Sequence, residues 1–145
     1  MKKKRLLKCA GILLLLLTLL SFTGCAKNRE KAYYSDTNHF ITEEAVVENI
    51  SYTKKFSGNR ECIVLWLSEI DEAYQSSNFN IEGENVALAL ERGILDKVEE
   101  GDVITYTSAP GFFYNGDFMP IVALSVDSEE ILCFEEGYRN LMDLY

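Results

Sequence analysis

Hydrophobic positions along most of the chain follow the two-residue period of β-strands. Residues 78–82 alternate polar and apolar side chains, which predicts a half-buried strand. Residues 62–68 are apolar at successive positions, which predicts a central strand covered on both faces. Further β-rich runs predict strands over 44–53, 103–107, 121–126 and 131–134.

Two segments show the spacing of amphipathic helices instead. The first helix is predicted over 85–92, with Asn85 as its N-cap and Gly93 as a left-handed stop. Its apolar face consists of Val86, Ala89 and Leu90. The second is a short C-terminal helix whose apolar residues recur at i, i+3, i+4 and i+7, namely Tyr138, Leu141, Met142 and Tyr145.

The order of these elements is three strands, a helix, and then two or three more strands. Over residues 44–134 this order resembles the OB-fold, a five-stranded barrel with a helix between strands three and four. The sequence therefore predicts a mainly β (α+β) domain, a small OB-like β-barrel with that helix and a short C-terminal helix. A different small barrel or an open α+β sheet is the alternative.

The first 25 residues have a pattern of another kind. Five basic residues within 2–8 precede a Leu-rich run from Ile12 to Leu20, and the run ends in Phe22-Thr23-Gly24-Cys25. This is the three-part layout of a secretory signal. The final tetrapeptide resembles a bacterial lipobox, although Phe22 stands where an aliphatic residue is usual. The resemblance implies cleavage before Cys25 and membrane attachment through a diacylglycerol on Cys25.

An uncleaved transmembrane anchor is the alternative, because the eighteen residues from Cys9 to Ala26 carry no charge. Both interpretations place the rest of the chain outside the cytoplasm. We expect a signal peptide over 1–24 and a lipidated tether over 25–40, which is polar and rich in turn-forming residues. Residues 41–145 are then a single domain, long enough to bury a core.

Charge changes markedly once the signal is removed. The signal holds five of the fourteen basic residues, so the 121-residue mature chain has nine basic and twenty-three acidic residues, a net charge of −14. Nucleic-acid binding depends on Lys and Arg at phosphates, so we expect no nucleic-acid partner. The same balance argues against attraction to anionic lipid beyond the acyl anchor.

Residues suited to catalysis or to metal binding are sparse. His39 is the only histidine and lies beside the predicted tether, where a surface or capping role is expected. The spacing of His and Cys fits no zinc site, and no Gly-rich phosphate loop follows a strand. We therefore predict no catalytic residue, no metal and no cofactor. Cys62 and Cys133 could form one disulfide or remain two separate thiols.

The segment 110–119 has an unusual density of aromatic residues around the Asn115-Gly116 turn signal. In an OB-like barrel this is the loop between strands four and five, and a basic loop lies between strands one and two. These two loops commonly hold ligands in the fold. The ligand-binding candidates are Phe112, Phe113, Tyr114, Phe118, Lys54, Lys55 and Arg60. The alternative is that the rings fold over the barrel end as core.

Together these features favour a membrane-anchored extracytoplasmic lipoprotein that acts as a non-enzymatic binding module for a protein or glycan partner. A structural subunit or assembly factor of a cell-envelope complex is the second hypothesis. A hydrolase that uses carboxylates is the third, since acidic pairs are the catalytic groups left to this sequence.

Overall fold

The computed structural model describes residues 28–56, 60–72, 74, 76–110 and 118–145, with the backbone alone described at 55–56. Helix α1 covers residues 28–34 and is followed by a 3-10 helix at Thr37–His39. The remaining elements are β1 (Ile41–Phe56), β2 (Arg60–Ser68), β3 (Asn78–Glu82), α2 (Glu84–Glu91), α3 (Ile94–Lys97), β4 (Val103–Ser108), β5 (Met119–Val126), β6 (Glu129–Leu132) and α4 (Phe134–Met142).

Strands β1 to β5 close into a barrel. β1 pairs antiparallel with both β2 and β4, while β3 pairs with β2 and β5 pairs with β4. Parallel pairing of β3 with β5 closes the ring, and β6 extends the sheet beyond β5. This is the predicted small OB-like α+β barrel. The helix predicted over 85–92 is α2, which ends before the left-handed Gly93 (φ 77°), and a second short helix, α3, follows before β4.

β1 is longer than the predicted strand over 44–53. Its residues 41–46 pair with β4, and its remaining length pairs with β2 from Val46 to Phe56. One long, coiled strand therefore belongs to two sides of the barrel. The sequence does not suggest a strand at the start of β1, because Glu43 and Glu44 have low strand propensity. Pairing with β4 determines their extended conformation instead.

The barrel interior is filled by inward-facing residues of all five strands and by the apolar face of α2. Ile63, Leu65 and Leu67 of β2 are fully buried there, together with Phe79 and Ile81 of β3. The predicted period of β3 is therefore confirmed. Asn80, on its other face, is also buried, so the strand is covered more completely than a half-buried strand would be.

A second, smaller core lies outside the barrel, between α1, α4 and β5. Tyr34, Ala109, Val122 and Leu141 are its buried members. Tyr34 is 1% exposed, and the Tyr138 hydroxyl donates a hydrogen bond of 3.0 Å to its carbonyl oxygen. The prediction of a tether over 25–40 is corrected for residues 28–40. This segment packs on the domain, because Tyr33, Tyr34 and Phe40 contribute their side chains to the second core.

The N-cap predicted for Asn85 is wrong. Gly83, with a φ of 64°, precedes α2, and Asn85 is buried in the first turn of the helix. Its Nδ2 donates to the carbonyl oxygen of Gly137 at 2.9 Å, and its Oδ1 accepts from Nδ2 of Asn140 at 2.9 Å. Asn85 therefore ties α2 to α4, a tertiary role that overrides its local capping preference.

Candidate functional site

The outer face of β1, β2 and β3 carries an ordered set of polar side chains. Strand register places Trp66 between Asn49 and Asn78, Val64 between Ser51 and Asn80, and Cys62 between Thr53 and Glu82. Directly paired residues point to the same side of a sheet, and the neighbours Leu65 and Leu67 point into the barrel. These three rows are therefore the outward surface of the strands that OB-folds use for ligands.

The first of these rows is the accessible one. Asn49 is exposed, whereas Trp66 and Asn78 are half-buried. Phe118 lies near the Asn78 end of this row, because it directly precedes Met119, which pairs with Phe79. Met119 points into the barrel, and Phe118 is half-buried one residue before β5 begins. We call Asn49, Trp66, Asn78 and Phe118 the Trp66 row.

The third row lies beside α1 and the C-terminal tail and is largely covered. Glu82 lies close enough to Tyr34 and Tyr145 for its charge to raise the pKa of both hydroxyls further, beyond the larger effect of burial. Gly83 packs against Leu144, since a Cβ at Gly83 would come within 2.7 Å of Leu144 Cδ2. α1 and the C-terminal tail thus cover the Glu82 end of the face, and neither of them reaches the Trp66 row in the contacts described.

Electrostatics at the covered end are dominated by burial. Desolvation raises the pKa of the Glu82 carboxyl, and the Arg60 charge and the Asn80 side chain oppose this shift. Burial likewise raises the pKa of the Cys62 thiol to about 11, with the Glu82 charge adding to it. Asn80 is 5% exposed, and its Oδ1 has no hydrogen-bond partner among the described residues. This end is a packed polar cluster rather than an open site.

The basic candidates from the first loop lie at the far end of the β1–β2 hairpin. Lys54 is exposed, and Arg60 Nη1 lies 3.7 Å from Glu82 Oε2. Lys55 is in β1, where the backbone alone is described. Arg60 and Phe118 are described residues beside the two loops predicted to share a ligand, and they lie near opposite ends of β3.

Several other predicted residues fall outside the described part of the chain. These are Cys25 and three of the aromatic candidates, Phe112, Phe113 and Tyr114. The prediction that these three rings bind a ligand, and the alternative that they are core, both stay as predictions. Phe118 is the aromatic candidate that the structure does place, and it joins the Trp66 row.

The two remaining cysteines are free thiols rather than a disulfide. Cys62 is buried in β2, whereas Cys133 precedes α4 and is partly buried. His39 stacks on the Tyr33 ring at a centroid distance of 4.1 Å, and its Nδ1 lies 2.8 Å from the Tyr33 carbonyl oxygen. His39 thus packs on Tyr33 at the partly exposed surface beside α1, in agreement with the surface or capping role expected for it.

Sequence reasoning missed Asn49, Trp66 and Asn78 as site residues. The alternation of residues 78–82 already placed Asn78, Asn80 and Glu82 on one face, and this was the available signal. Trp66 was concealed within an apolar run that reads as buried on both sides. Strand register places Asn49 and Asn78 beside Trp66, and the periodicity of a sequence does not specify this register.

Among the described residues, no three His, Cys, Asp or Glu side chains are grouped closely enough to hold a metal ion. Every helix in the described ranges is too short or too polar to cross a bilayer. Comparison with protein-family models, curated proteins and solved structures found no match to this chain.

Proposed function

We propose that this protein is an extracytoplasmic lipoprotein, held at the membrane by a diacylglycerol on Cys25, that binds a neutral glycan without transforming it. The Trp66 row is the observation that carries the proposal. The row sets the Trp66 ring between two amides on the outer barrel face, with Phe118 next to the start of β5. OB-fold proteins use this face for oligosaccharides and oligonucleotides.

The chemistry of the row suits a sugar. Aromatic rings present flat apolar surface that covers the C–H face of a pyranose, while each asparagine amide both donates and accepts hydrogen bonds. Adjacent strands lie about 4.8 Å apart, so Trp66 and Phe118 are separated by roughly 10 Å with Asn78 between them. This arrangement gives two stacking platforms with an amide that can bridge to hydroxyl groups.

Charge favours a neutral ligand over an anionic one. The mature chain carries a net charge of −14, and Glu82 lies on the same barrel face as the row. Nucleic acids and acidic glycans would be repelled by this field. A protein ligand remains the competing partner class, because exposed aromatic residues also anchor protein interfaces.

Attachment at Cys25 is supported by the basic, apolar and Thr23-Gly24-Cys25 pattern of the first 25 residues. We expect the mature protein to begin at Cys25 and to exceed its peptide mass by a diacylglycerol. Cys25→Ser should leave it unprocessed or shed into the medium. Intact-mass spectrometry of the membrane fraction tests this, and an unmodified N-terminus at another residue would contradict it.

Ligand binding is tested by calorimetric titration with a panel of neutral oligosaccharides, including N-acetylated amino-sugar oligomers. We expect Trp66→Ala and Asn78→Ala to weaken binding, by roughly thirtyfold for Trp66 if it acts as a hot spot of about 2 kcal/mol. Leu95→Ala is the matched control, because Leu95 is a 43% exposed apolar residue on α3. Wild-type affinity in Trp66→Ala would refute the site.

A further inference from the structure

We propose that Glu48 is a specificity-determining residue beside the Trp66 row, and that it makes the site prefer a glycan with a free, protonated amino group. The inference rests on the glycan site of the proposed function. It adds a preference between two forms of the same sugar, because the amine is favoured over its neutral, N-acetylated counterpart. The position of Glu48 follows from an irregularity in β1.

β1 contains a β-bulge where it passes Trp66. The register with β2 places Val47 opposite Leu67 and Asn49 opposite Trp66, so Glu48 is an extra residue with no partner of its own. A bulge of this kind sets two residues of one strand against a single residue of the other. Glu48 and Asn49 are therefore both set against Trp66.

The residues on either side of the bulge show that Glu48 lies on the outer face. Val47 is fully buried in the barrel, and Ile50 packs against the same core. The two residues between them are left on the outer side of the strand, and both are exposed. Opposed residues on paired strands have Cβ atoms about 5 Å apart. The Glu48 carboxylate is therefore within reach of a ligand that lies on the Trp66 ring.

The surroundings of Glu48 are acidic. None of the ion pairs in the described part of the chain involves its carboxylate. The neighbouring Val47 backbone is hydrogen-bonded to Gly101 and Asp102, in a turn that also contains Glu99 and Glu100. This local charge adds to the net charge of −14 of the mature chain. Such a field attracts a cation and repels an anion.

The chemistry at the bulge suits an ammonium group. A carboxylate accepts hydrogen bonds and cannot donate, and its hydrogen bond to an ammonium is charge-assisted. The face of an indole ring also attracts a cation. An acetamido group in the same place is neutral and offers a single N–H. Because the amides of Asn49 and Asn78 carry no charge, we assign the preference to Glu48.

Calorimetric titration of the intact protein tests the preference with two matched ligands. These are the glucosamine trimer and its fully N-acetylated counterpart, compared at mildly acidic pH, where the sugar amine is protonated. We expect the wild type to bind the amine form about tenfold more tightly, the size of one hydrogen bond to a charged group. Glu48→Gln should remove this preference and leave the affinity for the acetylated trimer close to that of the wild type.

Glu44→Gln is the matched control. Glu44 is also exposed on β1, and four residues of strand place it about 13 Å from Glu48, beyond the Debye length of about 8 Å. This variant removes the same charge from the general field and should keep the preference for the amine. Equal loss of the preference in both variants would show that the field of the whole domain determines it, and would overturn the assignment to Glu48.

The remaining outcomes separate this inference from the proposed function. Equal affinity of the wild type for the two trimers would overturn the inference and leave the Trp66 row as a glycan site. Trp66→Ala should weaken the binding of both trimers, since both stack on the indole ring. Binding of neither trimer to the wild type would also overturn the inference, whereas the proposed function would then depend on the wider oligosaccharide panel.

Discussion

Replacement of Gly137 by alanine examines how α4 is seated on the barrel. Gly137 is buried at the closest approach of α4 to β5, and an added Cβ would lie 1.9 Å from the Val122 carbonyl oxygen. Ordinary contact begins at 3.4 Å, so α4 would have to retreat by about 1.5 Å. The obstacle is strand backbone, which cannot rotate away as a side chain could. Gly137→Ala should therefore loosen or detach the helix.

The loss of stability expected for Gly137→Ala can be estimated from the contacts that α4 makes with the rest of the domain. Detachment would expose Leu141, which is worth about 2 kcal/mol, and would break the Asn85–Gly137 hydrogen bond, worth about 1–3 kcal/mol when a buried partner is left unsatisfied. Alanine regains about 1 kcal/mol of helix propensity over glycine. The net expectation is a loss of about 2–4 kcal/mol in the free energy of unfolding.

Urea denaturation followed by circular dichroism measures this loss, and a decrease in Tm of about 8–16 °C should accompany it. Arg139→Ala, at an exposed position of the same helix, is the control and should change stability by no more than about 0.5 kcal/mol. A Gly137→Ala protein as stable as the wild type, with α4 still protected from hydrogen exchange, would refute the packing of α4 on β5.

Three further outcomes are expected. Asn85→Ala should cost about 1–3 kcal/mol of stability, because the Gly137 carbonyl loses its donor in a buried position. Burial raises the pKa of the Glu82 carboxyl in the folded protein above its ordinary 4.5. The contribution of this carboxyl to the free energy of unfolding should therefore increase as the pH falls from above the folded-state pKa to 4.5. Glu82→Gln should weaken this pH dependence in denaturant titrations. In the native protein iodoacetamide should label Cys133 before Cys62, because Cys62 is buried with a thiol pKa of about 11, and equal labelling would contradict its burial.

Much of the barrel could be predicted from the sequence because its strands carry their own periodicity. The bounds predicted for the third strand, 78–82, are those of β3, and the left-handed stop at Gly93 was also identified from residue type. Both features depend on local chemistry. The turn between β5 and β6 is also local, since Asp127 and Ser128 are turn-forming residues, and aspartate tolerates the positive φ of 49° observed there.

Features set by distant contacts could not be predicted in this way. α1 is short and polar for most of its length, and nothing local shows that Tyr34 enters a core with Leu141, more than 100 residues later. Asn85 looks like a cap because its type suits one, yet its partners are in α4. The Trp66 row was missed for the same reason, since it exists through strand register.

The most direct test of the proposed ligand site follows the indole of Trp66, the single tryptophan of the chain. Its Nε1–H gives one isolated peak in a proton–nitrogen NMR spectrum of the mature protein. On titration with a neutral oligosaccharide that binds, we predict that this peak shifts to saturation together with the side-chain amides of Asn49 and Asn78. A bound oligosaccharide that leaves the indole peak unmoved, or a panel in which none binds, would contradict the account.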